Sequence, residues 1–387
     1  MTIYSAGYVT RGFESIAEVF EEIISSEPNS GAALSILVEG KLVVDLWGGL
    51  ADAGKNSDWQ ERTLNVIFSS TKGLVSILAA QLVQAGVLDY EALVSDYWPE
   101  FAQSGKAKVK LKHLLSHRTG LAVLKDDICF EDVLDWQKIV GKLEIQEPMW
   151  IPGEEYAYHA ITFGWLVGEV IRRVTGMSIG QYFEKAVSEL LQADTWIGLP
   201  LSQELRVANL HAALDLESFF LNLEQDSSTD GDLLIKSLTL GNAFPPTLIT
   251  PDGGFNDWRA HAAEIPGAGG ISTARGLATI WSAVVTETKG VRLLSDSTIK
   301  IGTQVQSEGK PFFGGNPPYG RFGMGFQLSS PAQNYLGLSS FGHDGAGGQC
   351  AFADIEHRVG FAFLTNRMRG PSDDRATRLI KALKDLL

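Results

Sequence analysis

The sequence predicts an α+β fold, with a sheet assembled from both ends of the chain and a largely helical segment inserted between them. Three observations point there. Strand-rich runs lie near the start, in AALSILVEGKLVVDLWGGLAD. Two more, GQCAFADI and VGFAFLTN, lie near the end. From about Ser69 to Leu201 the apolar spacing turns helical. The expected division is 1–68 and 235–387 for the sheet unit and 69–234 for the helical one, with a cleft between them. A chain of 387 residues has room for such units at roughly 150 residues per domain.

Taken in order, residues 12–26 place Phe13, Ile16, Val19, Phe20 and Ile23 on one helical face. Glu39-Gly40 then separates two β-rich runs, which is a hairpin signal. The helical block is punctuated at Ser104-Gly105, Thr119-Gly120, Pro152-Gly153 and Gly176. Residues 222–270 are rich in Asp, Pro and Gly, as in NAFPPTLITPDGG, and are expected to form long loops bordering a cleft. STARGLATIWSAVV reads as a helix with Ser272 or Thr273 as its N-cap. The loop GKPFFGGNPPYGRFG leads into a strand candidate, MGFQLSS. Glu356-His357-Arg358 joins the last two strands, and ATRLIKALKDLL closes the chain as an amphipathic helix.

Composition narrows the function. Hydrophobic residues make up 44% and charged residues 20%, an ordinary globular balance. A net charge of −14 would be repelled by nucleic acid and by anionic lipid, so neither is expected as a partner. Cys129 and Cys350 form no C-x-x-C pair, which argues against a thiolate zinc site and a disulfide framework. No H-E-x-x-H, Walker A or dinucleotide-binding glycine pattern is present, so neither metal nor cofactor is expected. The N-terminus shows no signal-peptide pattern, and the best apolar run, Val75 to Val83, is broken by Ser76 and Gln81. A cytoplasmic location is the expectation.

The candidate nucleophile stands where the helical block begins. Ser69-Ser70-Thr71-Lys72 is an S-x-x-K tetrapeptide before an apolar helical run. Positions i and i+3 share a helix face, so the Ser69 hydroxyl can meet the Lys72 amine, whereas Ser70 cannot. A lysine held there lowers the cost of deprotonating a serine, and first-turn N–H groups favour the alkoxide. A rival exists in Gly176-Met177-Ser178-Ile179-Gly180, which fits G-x-S-x-G. That motif needs a strand before the serine, and here a helical stretch precedes it. Ser178 with Gln181 reads instead as a capping box.

A second segment, IPGEEYAYHAITFGWLVGE, brings a resemblance. With the tetrapeptide it resembles the serine β-lactamase and penicillin-binding-protein superfamily, more closely the class C β-lactamase-like branch that includes the family VIII carboxylesterases. The branch carries P-G-x-x-x-x-Y-x-N and then a glycine. Here Pro152 and Gly153 lead to Tyr158, and Gly164 falls in place. LLSHRTGL (Leu114 to Leu121) and PGAGGISTARGLA (Pro266 to Ala278) resemble two further segments of the branch, so the likeness extends from about residue 30 to the C-terminus. It implies a β-lactamase/transpeptidase-like fold, an antiparallel sheet flanked by helices plus a mostly helical domain. It also implies that Tyr158 is the general base for Ser69, which works if Lys72 and nearby dipoles draw the phenol down from a pKa of ~10. The plainer alternative for Tyr158 is a core aromatic; Tyr156, two residues earlier, is a decoy on the same segment, and the spacing from Pro152 selects Tyr158. In FGHDGAGGQCAFADI the third motif falls on His343-Asp344-Gly345. The backbone N–H of Ala346 would then face that of Ser69 as an oxyanion hole, with the three glycines leaving the register open by one residue.

Two departures from the family pattern bear on substrate. The Asn of Y-x-N is Ala160, and the Lys of the third motif is His343, mostly neutral near pH 7 with an ordinary pKa of ~6.5. A β-lactam or peptide carboxylate thus loses its cationic partner, while an ester needs only nucleophile, base and oxyanion hole. The expectation is a serine carboxylesterase acting on small to medium esters through an acyl-enzyme at Ser69. Ser69, Lys72 and Tyr158 would be catalytic, and His343, Gly345 and Ala160 would border the substrate. His159 is read as structural, and Phe312, Phe313 and Tyr319 suggest an apolar acyl or alcohol pocket. The alternatives are a β-lactamase or D-amino-acid peptidase, an acyltransferase, and a catalytically silent scaffold. Homo-oligomerisation is left open.

Overall fold

The computed structural model describes residues 5–225 and 229–387. Its centre is a nine-stranded sheet whose strands pair antiparallel. The order runs Ser5–Val9, Lys41–Asp52, Gly31–Val38, Val359–Thr365, Cys350–Asp354, Ser340–Gly342, Gln327–Leu328, Arg321–Phe322, with Ser57–Asp58 beside Lys41–Asp52. Strands from the two ends of the chain meet at the middle of the sheet, where Val359 to Thr365 pairs with Val38 to Ala32. The first hairpin turns at Glu39 (φ 50°) and Gly40 (φ 77°), the left-handed pair that a two-residue turn matched to strand twist requires.

Side-chain alternation divides the sheet into two faces. Phe361 and Phe363 point to one side, with Leu34 and Ile36 of the neighbouring strand, and pack under the helices Glu14–Ser26 and Arg375–Lys384. Ala362 and Leu364 point to the other side, beneath the helix Ala274–Val285. That helix starts at Thr273, whose hydroxyl accepts the N–H of Gly276 at 3.0 Å. The second core runs on from Ala33 and Leu364 to Val140, Leu166 and Val170 among the helices of the middle of the chain. A short sheet of Asn65–Phe68, Gly270–Ser272 and Thr195–Ile197 lies at this junction.

The middle of the chain is less continuously helical than its periodicity suggests. Ser70–Gln84, Trp136–Ile145 and Thr162–Thr175 are long helices, but residues 116–129 and 146–161 are extended or turned. These two irregular stretches pair with each other. Met149 N–H donates to Gly120 O at 2.8 Å, Gly153 to Arg118 at 2.9 Å and Ala157 to His117 at 3.2 Å. The expectation of loops throughout 222–270 fails in its first part. Thr229–Thr239 is a helix, because LLIKSLT holds no Pro or Gly and places Leu233 on the small cluster of Trp150 and Phe313. Breakers are concentrated after Gly241, where the chain is irregular apart from the short pair Ile249–Thr250 with Gly253–Gly254 and the helix Trp258–Ala262. Among the described residues, no helix is long and apolar enough to cross a membrane. Cys129 is exposed at the start of the helix Phe130–Val133, and Cys350 is buried at the start of a sheet strand.

Candidate active site

Ser69 occupies a strand-to-helix turn. The strand Asn65–Phe68 ends with Phe68 at φ 44°, a left-handed value that costs a non-glycine residue on the order of 1–3 kcal/mol. Thr71 holds the turn, donating its hydroxyl to Phe68 O (2.5 Å) and accepting the Gly270 N–H (2.8 Å). The helix Ser70–Gln84 follows, so Ser69 stands at its N-cap as its place in the tetrapeptide predicts. Ser70 is fully buried with an unpartnered hydroxyl.

Lys72 comes off the first turn of that helix into a cradle of carbonyls. Its Nζ lies 3.0 Å from Ser69 Oγ and donates to Ala160 O at 2.5 Å and Gly267 O at 2.7 Å. Complete burial moves the amine well below its ordinary pKa. The cradle depends on close packing. A Cβ at Gly164 would lie 2.1 Å from Gly267 N, so only glycine lets the helix Thr162–Thr175 approach the strand-forming segment that presents Gly267. Ala160 is 4 % exposed; its methyl lies in the core and its carbonyl serves Lys72, in the place where the family has an asparagine. Gly267 belongs to a segment quoted above for its likeness alone, and a backbone carbonyl has no signature in sequence.

Tyr158 belongs to the second of the two paired stretches. Lys72 Nζ is 4.8 Å from the centroid of its ring, and the Ser69 hydroxyl favours the ionised phenol. His117, Phe322 and His343 surround it, with ring centroids at 4.9, 5.8 and 5.9 Å. The expectation of a lowered phenol pKa is not met: burial among these rings pushes it up, and the Ser69 hydroxyl offsets only part of the rise. His117, which sequence reasoning passed over, positions this segment. It adopts φ 62°, its carbonyl accepts the Ala157 N–H, and its Nδ1 accepts the His159 N–H at 3.2 Å. Phe322 likewise comes from a distant strand, and neither spacing nor motif pointed to it. His159 is structural. Its Nδ1–H donates to Ala157 O at 2.6 Å, and Nε2 lies 2.7 Å from the Thr119 hydroxyl. Tyr156 donates its hydroxyl to Gly309 O, away from Ser69.

The third motif lies against the strand that delivers the nucleophile. A Cβ on Gly345 would stand 2.2 Å from Ile67 O, so the turn needs glycine to come this close. Gly345 N–H donates to Gln349 O at 2.8 Å. The backbone N–H groups of Ser69 and Ala346 take part in no hydrogen bond among the described residues. His343 is buried, and its Nδ1–H donates to Asp344 O at 2.8 Å, which leaves Nε2 as an unpartnered acceptor. Burial lowers its pKa to about 3, so it brings no positive charge to the site. Phe312 and Phe313 pack on each other, Phe312 also on the Trp150 ring at 4.7 Å; the Tyr319 hydroxyl donates to Gly315 O at 3.3 Å. Ser178 is a helix cap, accepting the Gln181 N–H at 3.3 Å and donating to Glu264, while Gln181 Oε1 accepts the Ser178 N–H at 3.1 Å. Among the described residues, no three His, Cys, Asp or Glu side chains are grouped to hold a metal ion.

A serine, a lysine and a tyrosine in contact on this scaffold define a class, and comparison with known proteins agrees. The β-lactamase family model matches residues 16–385, and the chain belongs to that family. It is a hydrolase of the β-lactamase/esterase superfamily with the β-lactamase/transpeptidase-like fold. It is 30% identical over 374 residues to the esterase/β-lactamase LipL of Mycobacterium tuberculosis, covering 93% of this chain and 82% of that protein. Among solved structures, a family VIII carboxylesterase superposes with a TM-score of 0.88 at 32% identity, over 99% of this chain and all (100%) of that one. A penicillin-binding-protein homologue from Caulobacter crescentus gives 0.87 and 32% over 99% and 100%.

Proposed function

We propose that this protein is a carboxylesterase that forms an acyl-enzyme on Ser69. The observation that carries the reading is the 3.0 Å approach of Lys72 Nζ to Ser69 Oγ inside a cradle that takes its other two hydrogen bonds. A neutral amine has two N–H donors for the carbonyls of Ala160 and Gly267 and one lone pair for the Ser69 hydroxyl. Burial favours that neutral form. Lys72 therefore accepts the serine proton as Oγ attacks the ester carbonyl, and the Ser69 and Ala346 N–H groups receive the oxyanion. Tyr158, neutral at rest, relays a proton to the departing alcohol. Water then attacks the acyl-enzyme by the same route in reverse.

The preference for esters rests on His343. It is neutral, and its one N–H is committed to the Asp344 carbonyl, so a substrate carboxylate meets a lone pair where the family has a cation. Relatives described as a family VIII carboxylesterase and as an esterase/β-lactamase support this reading. Turnover of short-chain nitrophenyl esters is expected to exceed that of nitrocefin and of D-alanyl peptides. Ser69→Ala should abolish ester turnover and labelling by a fluorophosphonate probe. Retained turnover in Ser69→Ala, or nitrocefin as the better substrate, overturns the assignment.

A further inference from the structure

A carboxyl that the mechanism above does not use lies directly behind the oxyanion turn. Asp344 Oδ1 accepts the Tyr335 hydroxyl at 3.1 Å, and the buried Cys350 thiol favours the ionised carboxyl. The residue's own backbone is tied on both sides. Its N–H donates to Gln327 Oε1 at 3.0 Å, and its carbonyl holds His343 Nδ1–H. One residue thus joins the turn bearing Ala346 to the strands Gln327–Leu328 and Cys350–Asp354.

We propose that Asp344 is a positioning residue for this site, and that ionisation of its carboxyl, held by Tyr335 beside the turn that carries Ala346, slows acylation of Ser69. This rests on the esterase reading of Ser69, Lys72 and Tyr158. A negative charge on the turn opposes the oxyanion that forms beside it, and it reaches the Tyr158 phenol, which it pushes further from ionising. Burial raises the carboxyl to about 7, with the Cys350 and Tyr335 donors drawing it back. Both forms are therefore populated in the range where an esterase works.

The ionisable surroundings are defined on each side. Tyr335 is hydrogen-bonded to the carboxyl and the Cys350 thiol interacts with it, and burial holds both of them well above their ordinary pKa values. His343 precedes it and is neutral. Tyr158 lies within reach of its charge, and Lys72 influences His343 from the nucleophile helix. Asp373 approaches from beyond Cys350, but its carboxylate is bound by Arg375 at 2.6 Å.

The test is the pH profile of kcat/KM for a nitrophenyl ester in the intact protein, comparing wild type with Asp344→Asn. The ratio of variant to wild type is expected to rise several-fold as pH passes through 7, whatever the absolute rate of the variant. Removing a donor with Cys350→Ala or Tyr335→Phe raises the carboxyl pKa, so the wild-type inflection should move to higher pH. A ratio that is flat or falls with pH overturns the proposal, as does an inflection that stays put in both donor variants. If Asp344→Asn does not fold, the shift in the two donor variants decides alone. Loss of Ser69 dependence would instead overturn the esterase reading, so the two failures are separable.

Discussion

On the proposed mechanism, Lys72 sets the pH behaviour of the reaction at the residue scale. An ammonium cannot take the serine proton, so activity rises as the lysine loses its own. Burial holds that loss well below pH 10.5, and the rising limb of kcat/KM is expected to reach its plateau there. A limb that climbs only towards 10.5, followed with a nitrophenyl ester, would show a solvated lysine outside the cradle. Histidine governs stability on the acid side. His159 and His343 are buried neutral, with pKa values of about 4 and about 3, against about 6.5 in the unfolded chain. The unfolded state therefore binds more protons below pH 6.5, and stability falls as pH drops from there towards the folded values. Each contributes about 1.4 kcal/mol per pH unit over that window. Thermal midpoints measured between pH 7 and 4.5 should fall steeply, and a flat profile would mean that these imidazoles titrate freely.

Elements differ in how directly the chain spells them out. The hairpin at Glu39-Gly40 was legible because a two-residue turn demands left-handed backbone, and the S-x-x-K serine because i and i+3 must share a helix face. The cradle was not legible, since Ala160 and Gly267 act through carbonyls that every residue possesses. His117 and Phe322 escaped notice because their value lies in contacts across 41 and 164 positions to Tyr158, counted from residues 117, 158 and 322. The outer helix Arg375–Lys384 permits a clean test of its own role. Leu379 is fully buried against the outer face of the sheet, in the core of Phe352, Phe361 and Phe363. Leu379→Ala should cost about 2–5 kcal/mol in chemical denaturation. Its kcat/KM per folded molecule should match wild type, and a large loss of turnover without loss of stability would show that the outer layer reaches the nucleophile.

For the whole molecule, the sheet keeps two tasks apart. One face closes a core of Phe352, Phe361 and Phe363 under the first and last helices, while the other continues into the helical part of the chain that includes Lys72 and packs against Tyr158. The strand Cys350–Asp354 belongs to both, since Phe352 lies in the outer core and Ala351 and Ala353 in the inner one. The cysteines turn this arrangement into a chemical readout. Cys129 is open to solvent, whereas Cys350 is sealed behind the oxyanion turn. A colorimetric thiol reagent should therefore titrate one equivalent from the native protein and the second only from molecules in which that strand has come away. The delayed equivalent would time the opening of the catalytic wall without any label having been introduced.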